Sequence, residues 1–172
     1  MGITIGPADW WVASPEAIDS LAISCPEATT LPDGSRIICK AGGKVWIVAP
    51  ETTQVSEFWG NYTACGAIDN SPVGESVHSD ITNQNFPILY NCLISCGFNP
   101  SDWFVPSFAQ LQNPGYCCRT KWDSYSTFPG NYWSSTEIDS ANACGLNFDN
   151  GSPSNDNKTF SRYVRAFRCV TY

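Results

Sequence analysis

The segment from Asn131 to Arg168 carries the densest hydrogen-bonding chemistry in this chain. Its middle part, residues 149–161, is mostly Asn, Asp, Ser and Gly, whose short side chains offer amide, carboxylate and hydroxyl groups to a binding partner. Aromatic residues on both sides of it would add rigid contact area around adaptable polar groups. The predicted ligand-binding residues are Trp122, Tyr125, Asn142, Asn147, Asp149, Asn155, Asp156, Asn157, Thr159, Phe160 and Ser161.

Two runs within this segment, 149–152 and 155–157, also combine the oxygen ligands that calcium prefers. The competing interpretation is that these residues form turns, because Asn, Asp and Ser side chains bond to nearby backbone groups. The sequence leaves both open. We predict no cofactor, with calcium as the alternative.

Nine cysteines are a second group with chemical potential, and their spacing disfavours a metal site. Tetrahedral zinc sites use two spaced ligand pairs, whereas Cys92 and Cys96 are four residues apart and Cys117 and Cys118 are adjacent. At four residues apart on a helix, Cys92 and Cys96 share one face, which favours core packing. We expect free thiols, with disulfides formed after release from the cell as the alternative.

No residues are arranged as a catalytic acid, base and nucleophile, so we predict that the chain is not an enzyme. The sole histidine, His78, lies in a polar loop without the spacing of a catalytic triad. The formal net charge of −7 disfavours nucleic-acid binding, which needs clustered cations. Neither a signal peptide nor an apolar run of membrane-spanning length is visible, so no membrane insertion is expected.

The elements that would position the polar segment follow from local signals. Ser14-Pro15 is a favourable helix start, and apolar residues at helical spacing from Asn85, followed by Gly97, predict a second helix. Ser107 is the predicted cap of a third, short helix. Residues 36–39 and 44–50 read as a hairpin of two strands.

The end of the chain predicts the frame around the polar segment. Leu146 and Phe148 are two residues apart, as on one face of a strand, and residues 163–170 predict a strand that returns to a sheet. We expect Arg165 and Arg168 to pair with Glu137 or Asp102 inside the domain. The predicted structural residues are Trp103, Tyr132, Trp133, Glu137, Arg165 and Arg168.

Several short motifs occur in a recognisable order along residues 44–170. They are Lys44-Val45-Trp46, Trp59-Gly60, a helix bearing Cys92 and Gly97, Asp102-Trp103-Phe104-Val105-Pro106-Ser107, Tyr132-Trp133-Ser134-Ser135-Thr136-Glu137, Asn147-Phe148 with Asn150-Gly151, Lys158, and Val164-Arg165-Ala166-Phe167-Arg168. In this order they resemble the C-type-lectin-like domain found at the C-terminus of a bacterial collagen-like adhesin and in many phage tail and fibre proteins.

The resemblance implies an α+β fold, with two small antiparallel sheets, two helices and long loops, over residues 41–172. Residues 1–40 fall outside it and are predicted to be an N-terminal attachment or oligomerisation segment, in which Trp10-Trp11 are either core anchors or the docking patch. It also implies a homo-oligomer, a trimer, attached to other proteins of a phage tail or fibre.

The function implied is that of a virion structural protein, made in the host cytoplasm, whose domain binds a glycan or protein on the host cell surface. The alternatives are a bacterial surface adhesin and a calcium-dependent lectin, although the Glu-Pro-Asn and Trp-Asn-Asp triplets of such lectins are missing. Formylglycine-generating enzymes have a related fold, but Cys117 and Cys118 are not placed like their cysteine pair. The composition of residues 142–161 also resembles the variable sites of lectin-like proteins diversified by retroelements.

Overall fold

The structure, a computed structural model, describes residues 14–59, 79–83, 86–123 and 130–172. The predictions for Trp10-Trp11, Cys65, His78 and Tyr125 fall outside these residues. The described helices are α1 (Pro15–Ser24), α2 (Pro87–Ser95) and α3 (Phe108–Gln110). The described strands are β1 (Arg36–Ala41), β2 (Lys44–Val48), β3 (Val55–Glu57), β4 (Ser79–Asp80), β5 (Phe104–Val105), β6 (Asn131–Glu137), β7 (Asn142–Asn147), β8 (Pro153–Asn157), β9 (Arg162–Val164) and β10 (Phe167–Thr171).

The strands form two five-stranded sheets, so the predicted α+β class is confirmed. The first sheet has the order β1-β2-β10-β5-β4, and its neighbouring strands are antiparallel. The second has the order β3-β9-β6-β7-β8, in which β9 runs parallel to β6 and the other pairs are antiparallel. The predicted hairpin is the β1–β2 pair of the first sheet.

The helix starts follow the sequence signals. The Ser14 side chain accepts a hydrogen bond from Ala17 N, with Pro15 in the first helical position. Ser107 and Gln110 form a capping box at the start of α3. The second predicted helix is confirmed as α2, and Gly97 after it adopts a φ of +85°, the left-handed conformation that glycine tolerates.

The buried face of α2 differs from the prediction that its two cysteines pack in the core. Leu89 and Leu93 are buried, whereas Cys92 is half-buried and Cys96 is exposed at the C-terminal end. The eight cysteines among the described residues are free thiols.

The described part of the N-terminal segment packs into the body of the chain. Ile18 and Ala22 of α1 belong to the same buried cluster as Val45 of β2 and Trp133 of β6. Residue 40, where the sequence placed the end of this segment, lies inside β1.

The end of the chain forms two strands where the sequence predicted one. β9 belongs to the second sheet and β10 to the first, and Arg165 and Ala166 cross between them. Because these two residues are buried, the crossing lies in the core and joins the sheets. No helix in the described part of the chain has both the length and the apolar character needed to cross a membrane.

Candidate binding surface

A cleft of about 210 Å³ lies at one end of the second sheet, where β6 and β9 begin and β7 ends. We call it the β9 cleft; it is lined by Gly130, Asn131, Asn147, Ser161, Arg162 and Tyr163. Strand pairing brings these residues together. Asn131 pairs with Asn147 across the antiparallel strands β6 and β7, and Tyr132 pairs with Tyr163 across the parallel strands β6 and β9.

The lining of the β9 cleft is rich in hydrogen-bonding groups of different kinds: two side-chain amides, a hydroxyl, a guanidinium and a phenol. Asn131 Oδ1 is buried and accepts no hydrogen bond from any described residue. A buried acceptor of this kind needs a donor from water or a ligand. The cleft therefore suits a ligand with several hydroxyl or amide groups.

Arg162 is held in one orientation at the edge of the cleft. Its Nε donates to Asp156 Oδ2 at 2.9 Å, and its Nη1 donates to the Ser161 carbonyl at 3.3 Å. The guanidinium also lies 5.2 Å from the centre of the Phe160 ring. Asp156 accepts a second hydrogen bond from Ser154 Oγ at 3.1 Å. The positive charge of Arg162 is therefore fixed in position before a ligand arrives.

The amide oxygens of this surface hold its turns. Asn147 Oδ1 accepts from the backbone N–H groups of Asp149 and Asn150, at 2.8 and 3.3 Å. Asn157 Oδ1 accepts from Thr159 N at 3.0 Å and from its hydroxyl at 2.7 Å. The turn interpretation of these asparagines is therefore confirmed.

The acidic side chains available to bind calcium in the two predicted runs are few. Within residues 14–59, 79–83, 86–123 and 130–172, no three His, Cys, Asp or Glu side chains are grouped so that they could hold a metal ion. Of the two aspartates in the predicted calcium runs, Asp156 is paired with Arg162, and Asp149 is exposed at the turn after β7.

Most of the segment 149–161 faces outward, with Lys158 as its single buried residue. β8, in the middle of the segment, is an edge strand of the second sheet. Asn155, Thr159, Phe160 and Ser161 are exposed. The segment is thus a polar strand and two turns supported by a sheet, where the sequence predicted a loop.

The predicted ligand residues do not form one cluster. Asn147 and Ser161 line the β9 cleft, whereas Asn142 pairs with Asn157 at the opposite end of the β7–β8 hairpin. Five residues of β-strand separate the two ends by roughly 17 Å. The hairpin therefore divides the predicted residues between two places on the surface.

Trp122 does not lie on this surface, which corrects its predicted role in ligand binding. Its ring is 2% exposed and packs against Phe148 and Phe167, with ring centres 5.1 and 5.5 Å apart. The indole contributes to the second buried cluster of the core.

The predicted structural residues are mostly buried, and their partners differ from those expected. Glu137 forms a buried ion pair with Lys158, whose Nζ lies 4.7 Å from the centre of the Trp59 ring. Arg165 pairs with Asp123 and donates from Nε to the Ala49 carbonyl at 2.8 Å.

Arg168 makes its ion pair with Asp19 of α1, at 2.6 Å. Both arginines thus pair within the chain, as predicted, but neither is bonded to Glu137 or Asp102. Burial lowers the pKa of Arg165, and the Asp123 carboxylate opposes that shift.

The aromatic structural residues lie where the sequence predicts. Trp103, Tyr132 and Trp133 are all buried. The Trp133 indole donates to the Glu57 carbonyl at 3.1 Å, and the Tyr132 hydroxyl donates to Gln54 Oε1 at 2.5 Å. Burial raises the pKa of Tyr132.

Asn131 and Arg162 were not among the predicted ligand-binding residues. Each is the first residue of its strand: Asn131 follows Gly130 at the start of β6, and Arg162 follows Ser161 at the start of β9. Arg162 directly follows Phe160 and Ser161, which were predicted to bind a ligand, and this could have indicated it. The position of β9 beside β6 is set only in the folded sheet.

No protein-family model matches this chain, and a search of curated proteins found no match to it either.

Proposed function

We propose that this chain is a non-enzymatic binding module of C-type-lectin-like architecture, carried on a phage tail or fibre, that contacts a glycan on the host cell surface. The β9 cleft and the adjoining exposed residues of the 149–161 segment form its contact surface. The observation that carries the proposal is the β9 cleft itself, which is lined by Asn, Arg and Tyr residues of three strands and by Ser161 just before β9.

The chemistry of the surface favours a hydroxyl-rich ligand. Amide, hydroxyl and guanidinium groups form directional hydrogen bonds to sugar hydroxyls. Phe160, which is 49% exposed, offers an aromatic face beside them. Aromatic rings next to polar groups are a common arrangement where one side of a ligand is apolar and the other is polar.

The fold supports the proposal through the rigidity of the strands under the surface. A site on strands of a sheet is held more accurately than a site on a loop alone. Arg162 is fixed by Asp156, and Asn147 is fixed by the turn that it caps. Binding to such a surface costs little ordering of the protein.

Replacing Phe160 with alanine tests the proposal. We expect F160A to reduce adsorption of the purified chain to host cells, or binding to a host-glycan array, by about tenfold, because one exposed stacking partner is lost. Folding should remain unchanged, since Phe160 is 49% exposed and belongs to neither buried cluster of the core. Phe58→Ala is the matched control, because Phe58 is 56% exposed and lies outside the β9 cleft.

The same adsorption assay distinguishes a glycan partner from a protein partner. Binding that survives enzymatic removal of host glycans but is lost on protease treatment of the cells would replace the glycan with a surface protein. Equal binding by F160A, F58A and the unmodified chain would remove the proposed contact surface. A requirement for calcium in the array would favour the calcium-dependent lectin.

A further inference from the structure

A second and larger cavity lies on another part of the molecule, between α1, the C-terminal end of α2 and β10. Its volume is about 390 Å³, within the range of small-molecule sites. We call it the α1 cavity. None of its lining residues lines the β9 cleft, so the two sites are independent.

The walls of the α1 cavity are largely apolar and aromatic. Ile18 of α1, Phe98 and Trp103 all line it. The two rings meet edge to face, with centres 5.6 Å apart and planes at 89°. This contact fixes the aromatic wall, because edge-to-face pairs gain from the opposite charges of ring edge and ring face.

The polar groups of the α1 cavity give it a negative character. Asp33 and Asp102 both line it, and neither forms an ion pair with any described residue. Asp33 Oδ1 accepts hydrogen bonds from the Ser35 backbone and hydroxyl, which holds this carboxylate in place. Arg168, the one cation in the lining, is already paired with Asp19.

The end of α2 adds to this negative potential. Cys96 and Gly97, directly after the last residue of α2, line the α1 cavity. The C-terminal end of a helix carries a partial negative charge and favours cations. Two carboxylates and a helix terminus therefore act on the same space beside an aromatic wall.

We propose that the α1 cavity binds a small organic cation that combines an ammonium or guanidinium group with an apolar body. The cationic group lies between Asp33 and Asp102, and the apolar body packs on Phe98, Trp103 and Ile18. Aromatic faces attract cations as well as apolar groups, so both parts of such a ligand are complementary to this lining.

An NMR titration of the ¹⁵N-labelled full chain with benzylammonium tests the proposal, with benzyl alcohol as the neutral isostere. We expect saturable shifts of the Trp103 indole and of the amides of Gly97 and Asn99, which also lines the cavity. The dissociation constant should lie in the low millimolar range, as for other ligands of about eight non-hydrogen atoms. Benzyl alcohol should bind at least about fivefold more weakly.

Charge-removing variants locate the cation. D102N and D33N should each weaken benzylammonium binding about two- to fivefold. E51Q removes the same charge from an exposed side chain outside the cavity and should leave the binding unchanged. Equal binding of the cation and its isostere, or an equal loss in E51Q and D102N, would overturn the proposal.

A measurement on the unmodified chain covers the case in which the variants fail to fold. Cys96 lines the α1 cavity and is exposed, and Cys117 is exposed elsewhere. Benzylammonium should slow alkylation of Cys96 by iodoacetamide about twofold or more at saturation, without slowing that of Cys117. Equal rates at Cys96 with and without the cation would also overturn the proposal.

Discussion

The strand β6 and the edge segment 149–161 use the same residue types for opposite purposes. In β6, Ser134, Ser135, Thr136 and Glu137 are all buried. In the edge segment, Ser, Thr, Asn and Asp side chains lie mainly at the surface and bond to their own turns. The difference shows that composition alone does not separate a structural polar residue from one available to a partner.

The buried polar residues of β6 connect parts of the chain that are distant in sequence. Ser134 Oγ donates to the Cys144 carbonyl at 2.7 Å, and Thr136 Oγ1 accepts from Phe108 N at 2.9 Å. Because buried polar groups cost free energy when unpaired, each of these bonds favours this arrangement of strands over others. In the edge segment many side-chain hydrogen bonds stay within its own turns or reach Arg162, and most of its polar side chains remain at the surface.

The largest loss of stability should follow replacement of Lys158, the buried residue of the edge segment. K158M leaves the Glu137 carboxylate in the interior without its cation, which costs about 3–5 kcal/mol of unfolding free energy. Urea denaturation measures this loss. Lys44→Met is the control, because Lys44 is exposed and its replacement should change stability by less than about 0.5 kcal/mol.

A double variant sharpens this result. E137M combined with K158M removes both charges and should recover most of the stability, since a buried ion pair is worth little relative to apolar residues of similar size. If K158M alone is as stable as the unmodified chain, the pair is not buried as described.

The second-largest effect should be a dependence of folding stability on pH, caused by Glu57. Burial raises its pKa from 4.5 to about 7, against the opposing effect of hydrogen bonds from Leu89 N and Ile88 N. The native state thus keeps a proton between about pH 4.5 and 7 that the unfolded chain releases. Stability from this group is full below about pH 4.5 and is lost as the pH rises through 7.

The Glu57 contribution is measured by comparing the unmodified chain with E57Q across this pH range. The stability difference between them should change by about 2–3 kcal/mol from pH 4.5 to 8, with the unmodified chain losing more. Parallel pH profiles for the two proteins would show that the Glu57 carboxyl group does not titrate in this range.

A pair of serine variants tests the comparison with the residue type held constant. S134A removes a buried hydroxyl and should cost about 1–2 kcal/mol, because the Cys144 carbonyl loses its donor. S152A changes an exposed serine in the edge segment and should cost less than about 0.5 kcal/mol. Thermal or urea unfolding of both variants measures the difference, and equal costs would contradict the comparison.

The smallest effect is expected from calcium. The side-chain oxygens of Asn150 and Asn157 accept hydrogen bonds within their turns, and Asp156 is paired with Arg162. We therefore expect the melting temperature to change by less than about 1 °C between excess calcium and a chelator, since a ligand stabilises a protein only when it binds the native state. A rise of several degrees with calcium would instead support the calcium-dependent lectin.

The sequence predicted the elements whose signals are local. Ser14-Pro15 and Ser107 mark helix starts because a serine side chain satisfies the first backbone N–H groups of a helix. Gly97 marks a helix end because it tolerates a positive φ. Leu146 and Phe148 are both buried, as predicted, but β7 ends at Asn147 and Phe148 lies in the turn that follows it.

The sequence failed where the outcome depends on contacts between distant segments. Residues 163–170 were predicted as one strand, but the buried Arg165-Ala166 pair divides them between two sheets. Trp122 was predicted to add aromatic contact area beside the polar segment, whereas its ring packs on Phe148 and Phe167, which are distant in sequence. The partners of Arg165 and Arg168 were wrong for the same reason.

The sequence by itself determined the helix starts and the polar character of the 149–161 segment, because hydrophobic spacing and capping act over a few residues. The resemblance of its motifs implied the α+β class. The tertiary structure alone decided which polar residues are buried and which surround the β9 cleft. It also brought Asp33 and Asp102 to one cavity. These outcomes depend on the order of strands in the two sheets, and strand order is set by the packing of the whole core.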